Sequence, residues 1–293
     1  MKAYVVLARP YHWVKNVFLF APLVFSRHLF DVDYVSSAIL AFVVFSLVSS
    51  AVYVINDIAD RDLDRAHPIK SRRPVASGAI SPTRAAIFAF ILLLVVSFLA
   101  IGIRQEFQIV VALYFIMNLF YSFWLKHVLL VDVFIVAAGF MLRVLAGALA
   151  IHVEVSHWLI LCTLFVSLFL AVSKRRGELM LVQNSVEFTG RVVLREYELP
   201  FLDQIITISA AGMAISYALY TVADRTVSMF GTENLIFTTV FVLFGIFRYM
   251  YLLRKRVTED NPTYLLLTDL VMMVNITLWF LSCIAIIYSH RVL

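Results

Sequence analysis

The chain has 293 residues, of which 62% are hydrophobic and 15% charged, with a formal net charge of +5 and a pI near 9.2. Ordinary soluble proteins carry about 45 to 50% apolar and about 25% charged residues, so a soluble fold could not hide this apolar excess. The same numbers exclude intrinsic disorder, collagen, a disulfide scaffold and a nucleic-acid-binding tail, and leave an all-α integral membrane protein whose core is completed by lipid.

From the N-terminus, Lys2 and Arg9 flank a short apolar run with no small-residue cleavage site at the right distance, so a cleaved signal peptide is not expected. A spanning helix needs about 20 mostly apolar residues to cross roughly 30 Å of hydrocarbon. That ruler predicts nine transmembrane helices, at about 13–30, 35–55, 85–103, 107–125, 130–151, 157–173, 203–223, 234–253 and 265–289. The first and sixth are short and carry polar residues. Helix is chosen over barrel strand because strands run about 10 residues and alternate. Cys162 and Cys283 lie inside apolar runs and read as packing residues.

Of the 24 lysines and arginines, 19 fall on one side of this arrangement. The other side holds only Arg27, Arg104, Arg225 and Arg291, while Arg143 falls within a span. The positive-inside rule therefore predicts a cytoplasmic N-terminus and an outside C-terminus. The chain reads as a single integral membrane domain, 1–293, with long or charged cytoplasmic connections at 56–84, 174–202 and 254–264. Function is expected on that face of an inner, cytoplasmic membrane.

The second span ends in Asn56-Asp57-Ile-Ala-Asp60-Arg-Asp62-Leu-Asp64-Arg65. On a continuing helix Asp57, Asp60 and Asp64 fall within about 60° of one another, with Asn56 beside Asp60 and Asp62 pointing elsewhere. Carboxylates so stacked repel unless a cation lies among them, and hard oxygen ligands suit Mg²⁺, which commonly joins a few carboxylates to substrate phosphates. The plainer reading is a solvated helix end whose acids pair with Arg61 and Arg65. The loop that follows carries His67, Pro68, Lys70, Arg72, Arg73, Pro74 and Gly78, which offer guanidinium forks and backbone N–H groups to phosphate, or anchor anionic lipid. The sixth span runs into Lys174-Arg175-Arg176-Gly177-Glu178, where Lys174 and Glu178 at i, i+4 and Arg175 and Glu178 at i, i+3 share a face. This is either a juxtamembrane salt-bridge cluster or a second phosphate site. Asp132 and Arg143, eleven apart on one face of the fifth span, lie about 16 Å apart and cannot pair with each other; both are expected to line a cavity.

These motifs together resemble the UbiA superfamily of membrane prenyltransferases. More narrowly, Arg9-Pro10-Tyr-His-Trp13-Val-Lys15-Asn16, NDIADRDLDRAHPIKSRRPVASG, YSFWLKHVLLVD through GFMLRVLAGA, and SKRRGEL are similar to its branch that transfers phosphoribose to a polyprenyl phosphate. The resemblance loosens between about 180 and 262. It implies a nine-helix UbiA-type bundle, Asp57, Asp60 and Asp64 as the metal-binding and catalytic acids, and a substrate-binding set of Lys15, Asn16, Asn56, Lys70, Arg72, Arg73, Tyr121, Lys126, Arg143, Lys174, Arg175 and Glu178. Typical superfamily members carry a second aspartate-rich site where this chain has Lys174 to Glu178, and one acidic plus one basic site suits phosphoribosyl pyrophosphate, whose 5-phosphate Lys174, Arg175, Lys70 and Arg73 are candidates to hold. The implied partners are that donor, a polyprenyl phosphate acceptor, Mg²⁺ and the lipid bilayer, with no nucleic acid; a homo-oligomer is compatible with the sequence and encoded by no particular residue. A prenyltransferase acting on an aromatic or lipid acceptor, and a non-catalytic lipid transporter, are the competing readings.

Overall fold

The computed structural model describes residues 2–66, 70–183, 192–255 and 268–289. The helices in chain order are α1 (Lys2–Ala8), a 3₁₀ helix over Pro10–Phe20, α2 (Ala21–Phe25), α3 (Val32–Ala59), α4 (Arg61–Ala66), α5 (Pro82–Ala100), α6 (Gln105–Phe123), α7 (Val131–Ala150), α8 (His157–Gln183), α9 (Leu199–Val222), α10 (Asp224–Phe230), α11 (Thr239–Lys255) and α12 (Leu270–Ser289). Among the described residues no strand occurs, and eight helical segments are long and apolar enough to cross a membrane. This is a multi-pass membrane protein. The fold groups into two compact units, Met1–Val155 and Ser156–Leu293. Most of the 254–264 connection, and His67 and Pro68, lie outside the described residues.

The first predicted span differs from expectation. In place of an α-helix over 13–30, Pro10–Phe20 winds as a 3₁₀ helix, hereafter the strap, which passes into the short α2. Runs of 3₁₀ helix beyond three or four residues are uncommon because their hydrogen bonds are poor, so one of this length needs outside support. Its three-residue period supplies three clean edges. Tyr11, Val14 and Val17 are exposed at 66%, 40% and 52%, while Asn16 and Leu19 are 1% and 0% exposed on the edge that Trp13 shares, and His12, Lys15 and Phe18 are half-buried between them.

The buried edge runs antiparallel to α3. Trp13 Nε1 donates to Ser50 Oγ at 3.0 Å and Asn16 Nδ2 donates to Ser46 Oγ at 3.0 Å. Three residues of 3₁₀ helix rise about 6 Å, and so do four residues of α-helix, so the two ladders stay in step. On the strap's other side Gly147 of α7 lets the backbones meet, since a Cβ there would fall 2.0 Å from the Leu19 carbonyl oxygen. Leu19, Phe45, Val48, Phe107 and Leu142 complete the first unit's core, where small Ala41, Ala146 and Ala150 permit close approach.

In the second unit α8 and α9 pack tightly at Gly212, where a Cβ would lie 2.5 Å from the Phe165 ring. Asp269 caps α12 through the Met272 amide at 2.9 Å and receives Arg248 of α11 on both oxygens, at 3.1 and 2.8 Å.

Gly147→Ala is expected to push the strap off α7 and cost about 1 to 3 kcal/mol, the usual scale of overpacking, read as a lower thermal unfolding midpoint in detergent. An unchanged midpoint would refute this contact.

Candidate active site

The site grows out of one face of α3. Ser46, Ser50, Tyr53 and Asp57 recur at steps of four, three and four, so they form one stripe down the helix. The stripe continues past the helix end. α3 bends at Asp60 (φ −92°, ψ 7°), yet Asp60 N donates to the Asn56 carbonyl at 2.9 Å and Asp64 N to the Asp60 carbonyl at 2.8 Å. The helix expected to run straight through the motif is therefore bent there and resumes as α4, and Asp57 and Asp64 still converge on a shared cation. Asp62 points away into solvent, as the helical wheel predicts.

The carboxylates do not stand open. Arg9 pairs with Asp57, and Lys126, from the turn after α6, pairs with Asp60. Arg73 Nη1 bridges Asp64 Oδ2 at 2.6 Å and Asp57 Oδ1 at 3.3 Å. The loop that delivers Arg73 is pinned by Val75 and Ile80, which bury against Leu7 of α1, Val54 of α3 and Ala85 and Ala89 of α5. Neither Arg61 nor Arg65, the partners of the plainer reading, holds these three acids; Arg65 lies 3.8 Å from exposed Asp62 and donates to the Ala76 carbonyl. Asn56 and Tyr121 are half-buried, Lys70 is half-buried in the loop, and Arg72 is exposed.

Arg9 is the residue that sequence reasoning missed as part of the site. It takes a left-handed conformation, φ 52°, directly before Pro10, a placement that costs on the order of 1 to 3 kcal/mol and persists only when its surroundings impose it. The pair with Asp57 and the stacking of its guanidinium over the Tyr53 ring, 5.3 Å from the centroid, impose it. Ser50 Oγ donates to the Ala8 carbonyl at 2.7 Å, fixing the end of α1 just before it. The usable signal was the extension of the aspartate stripe upstream through Tyr53, Ser50 and Ser46, which calls for a polar partner within the apolar layer.

Deeper along α7, Arg143 is buried and gives each nitrogen a neutral acceptor: Asn16 Oδ1 at 2.7 Å, the Gly139 carbonyl at 2.7 Å and Tyr114 OH at 2.8 Å. Phe45, Tyr114 and Phe140 box its guanidinium. Asp132 is fully buried at the start of α7. In the second unit Glu178 receives Arg175 and lies 3.8 Å from Lys174, the pairing that the helical spacing predicts, and Arg176 reaches Asp203 of α9 at 2.6 Å.

For a metal, the informative atom is Asp57 Oδ2, buried and without a hydrogen-bond partner. Among the described residues no three His, Cys, Asp or Glu close on one point. A magnesium ion does not require that, since it commonly takes one or two carboxylates and fills its octahedron with water and substrate phosphate. The donor set around Asp57 and Asp64 fits such an ion.

Residues 17–176 match the UbiA prenyltransferase family. Over 219 residues the chain is 37% identical to the decaprenyl-phosphate phosphoribosyltransferase of Mycolicibacterium smegmatis, covering 72% of this chain and 68% of that protein. The chain belongs to the UbiA prenyltransferase family. A protein of the same name from Mycobacterium tuberculosis is 36% identical over 219 residues, covering 72% of this chain and 71% of its own. A UbiA homolog from Archaeoglobus fulgidus, solved bound to GPP and Mg²⁺, superposes with a TM-score of 0.72 over 97% of this chain and 99% of that one, at 17% identity, which establishes a shared UbiA fold.

In this UbiA protein, breaking the Arg9–Asp57 pair leaves a buried charge alone. Arg9→Ala is expected to destabilise by about 3 to 5 kcal/mol, and the double variant Arg9→Ala/Asp57→Asn by clearly less, measured as thermal unfolding in detergent. Strictly additive losses would show that the two groups do not interact.

Proposed function

We propose that the protein transfers 5-phosphoribose from phosphoribosyl pyrophosphate to a polyprenyl phosphate in the inner membrane, with the N-terminus and the aspartate cluster on the cytoplasmic side and the strap with α2 as a ninth membrane element. The observation that carries this reading is the identity of more than a third to proteins named decaprenyl-phosphate phosphoribosyltransferase, in a chain whose carboxylates are interleaved with Arg9, Arg73 and Lys126. A site with that mix of charge takes a polyanion better than a bare acidic site could.

The bond from ribose C1 to the diphosphate oxygen breaks, a phosphate oxygen of the acceptor lipid bonds to C1, and diphosphate leaves. Negative charge builds on the leaving group and positive charge on the ring. A bound Mg²⁺ supplies charge neutralisation for the diphosphate. Asp57 and Asp64 are its candidate holders, and Asp60 keeps Lys126 aimed into the cluster. Arg73 and Lys126, with Lys70 and Arg72 on the same loop, position the donor's phosphates. Asn56 orients a ligand or water, and half-buried Tyr121 of α6 is a further substrate-binding candidate. Lys174 and Arg175, tied to Glu178, are the second unit's candidates for a phosphate. No protein nucleophile is needed, because the acceptor brings its own anionic oxygen.

The test is incubation of the purified full-length protein in detergent with labelled phosphoribosyl pyrophosphate and a polyprenyl phosphate. Transfer with diphosphate release is expected with Mg²⁺ and none after chelation. Asp57→Asn and Asp60→Asn should each lower turnover by about 100-fold or more, the scale of losing one preorganised electrostatic group, while the protein remains folded and membrane-inserted. Transfer of an isoprenoid from its diphosphate to an aromatic acceptor, with no phosphoribose transfer, would overturn the proposal.

A further inference from the structure

Lys15 sits on the half-buried edge of the strap, between the edge packed on α3 and the edge of Tyr11, Val14 and Val17 that faces outward. Its neighbours on that edge, His12 and Phe18, lie against the rings of Tyr53 and Phe140, with centroids 5.0 Å apart in each case. The ammonium has no hydrogen-bond or ion-pair partner among the described residues, and the like charges of Arg143 and Arg9 repel it. A cation at such depth, beside two more, is costly unless an anion is there to receive it.

The depth identifies the kind of anion. Asn16, the next residue, pairs with Ser46, which lies eleven residues before Asp57, about 16 Å along the α3 axis. Lys15 can snorkel part of the way back toward Asp57, so its ammonium serves the apolar side of the aspartate cluster. A water-soluble sugar phosphate approaches from the cytoplasm and finds Arg73, Lys126 and the basic loop first. An anion on a lipid tail slides in from the bilayer and meets the half-buried edge of the strap.

We propose that Lys15 binds the phosphate of the membrane-borne acceptor, at an anion site distinct from the aspartate cluster, and that Arg143 is a positioning residue that fixes the strap through Asn16 so that this lysine is held there. The proposal deepens the phosphoribosyltransferase reading and rests on it for the identity of the acceptor. The site takes a phosphate monoester on an isoprenoid or similarly long apolar chain, with the tail lying along the outward edge of the strap.

The test uses the full-length protein in detergent and Lys15→Met, which keeps the length of the side chain and removes its charge. With geranylgeranyl phosphate as probe, calorimetric binding should weaken by about 10- to 100-fold in Lys15→Met, the scale of one hydrogen bond to a charged group. Lys15→Arg should retain most of the affinity. The parent alcohol should bind both proteins equally weakly, and inorganic phosphate should not compete at millimolar concentration; competition would mean a site for free phosphate and overturn the lipid assignment. In the transfer assay the KM for polyprenyl phosphate should rise with little change in the KM for phosphoribosyl pyrophosphate, whereas a rise confined to the donor would place Lys15 with the donor instead. Because Lys15 has no partner to lose, Lys15→Met should unfold at the same or a higher temperature, while a purely structural lysine would lower it. Lys15-dependent binding of the lipid phosphate in a protein that transfers no phosphoribose would keep this site and remove the phosphoribosyltransferase reading; transfer with binding unchanged in Lys15→Met would do the reverse.

Discussion

The first unit depends on the match in rise between the strap and α3. Ser46 and Ser50 would otherwise present hydroxyls, and Tyr53 a phenol, to an apolar layer in which unsatisfied polar groups cost several kcal/mol. The strap answers the two serines in register, through Asn16 and Trp13, lays His12 against the Tyr53 ring, and then delivers Arg9 to Asp57. An α-helix in its place would advance 1.5 Å per residue and fall out of step within two contacts. The poor hydrogen bonding of 3₁₀ geometry is thus tolerated because side chains replace what the backbone loses. Proline at the strap's start and glycine at position 147 of α7 are the covalent features that let it lie so close.

The ion pairs at the end of the stripe follow a related logic. Buried pairs often repay little more than their desolvation cost, so Arg9, Arg73 and Lys126 are not explained by stability alone. Their arrangement keeps three carboxylates near one another without a ligand, at the expense of leaving Asp57 Oδ2 with no partner. An incoming diphosphate with its cation would supply what that oxygen lacks and would draw on the same guanidinium groups. The acids are thereby held near one another for a substrate instead of being splayed apart by their own repulsion.

Much of this was legible in the sequence. Length and hydropathy gave the spans that the structure shows, because roughly 20 apolar residues have no other use in a chain this apolar. The spacing of Asp57 and Asp64 put both on the side that meets Arg73, and the i, i+4 rule paired Lys174 with Glu178. Three things were out of reach. The strap reads as a short helical span because its apolar content resembles one, and only its fit to α3 selects the tighter winding. Which cation meets which acid depends on a loop pinned by Val75 and Ile80 and on a turn after α6, contacts that no local pattern encodes. Arg143 was recognised as costly, but its acceptors, Asn16 and Tyr114, lie 127 and 29 residues away in the chain.

Taken together, the stripe on α3 changes character in one direction. From the membrane interior outward it runs through serine hydroxyls, a tyrosine and then carboxylates, while the residues that meet it run from Asn16 and Trp13 to Arg9, Arg73 and Lys126. Polarity thus rises along the axis by which a lipid phosphate and a soluble sugar diphosphate would have to meet, one from the bilayer and one from water. A surface with uniform polarity could bind either of them, but would give no reason for the two reacting ends to coincide. In the proposed reaction the gradient would supply that reason, by arresting each substrate where its own polarity matches the wall.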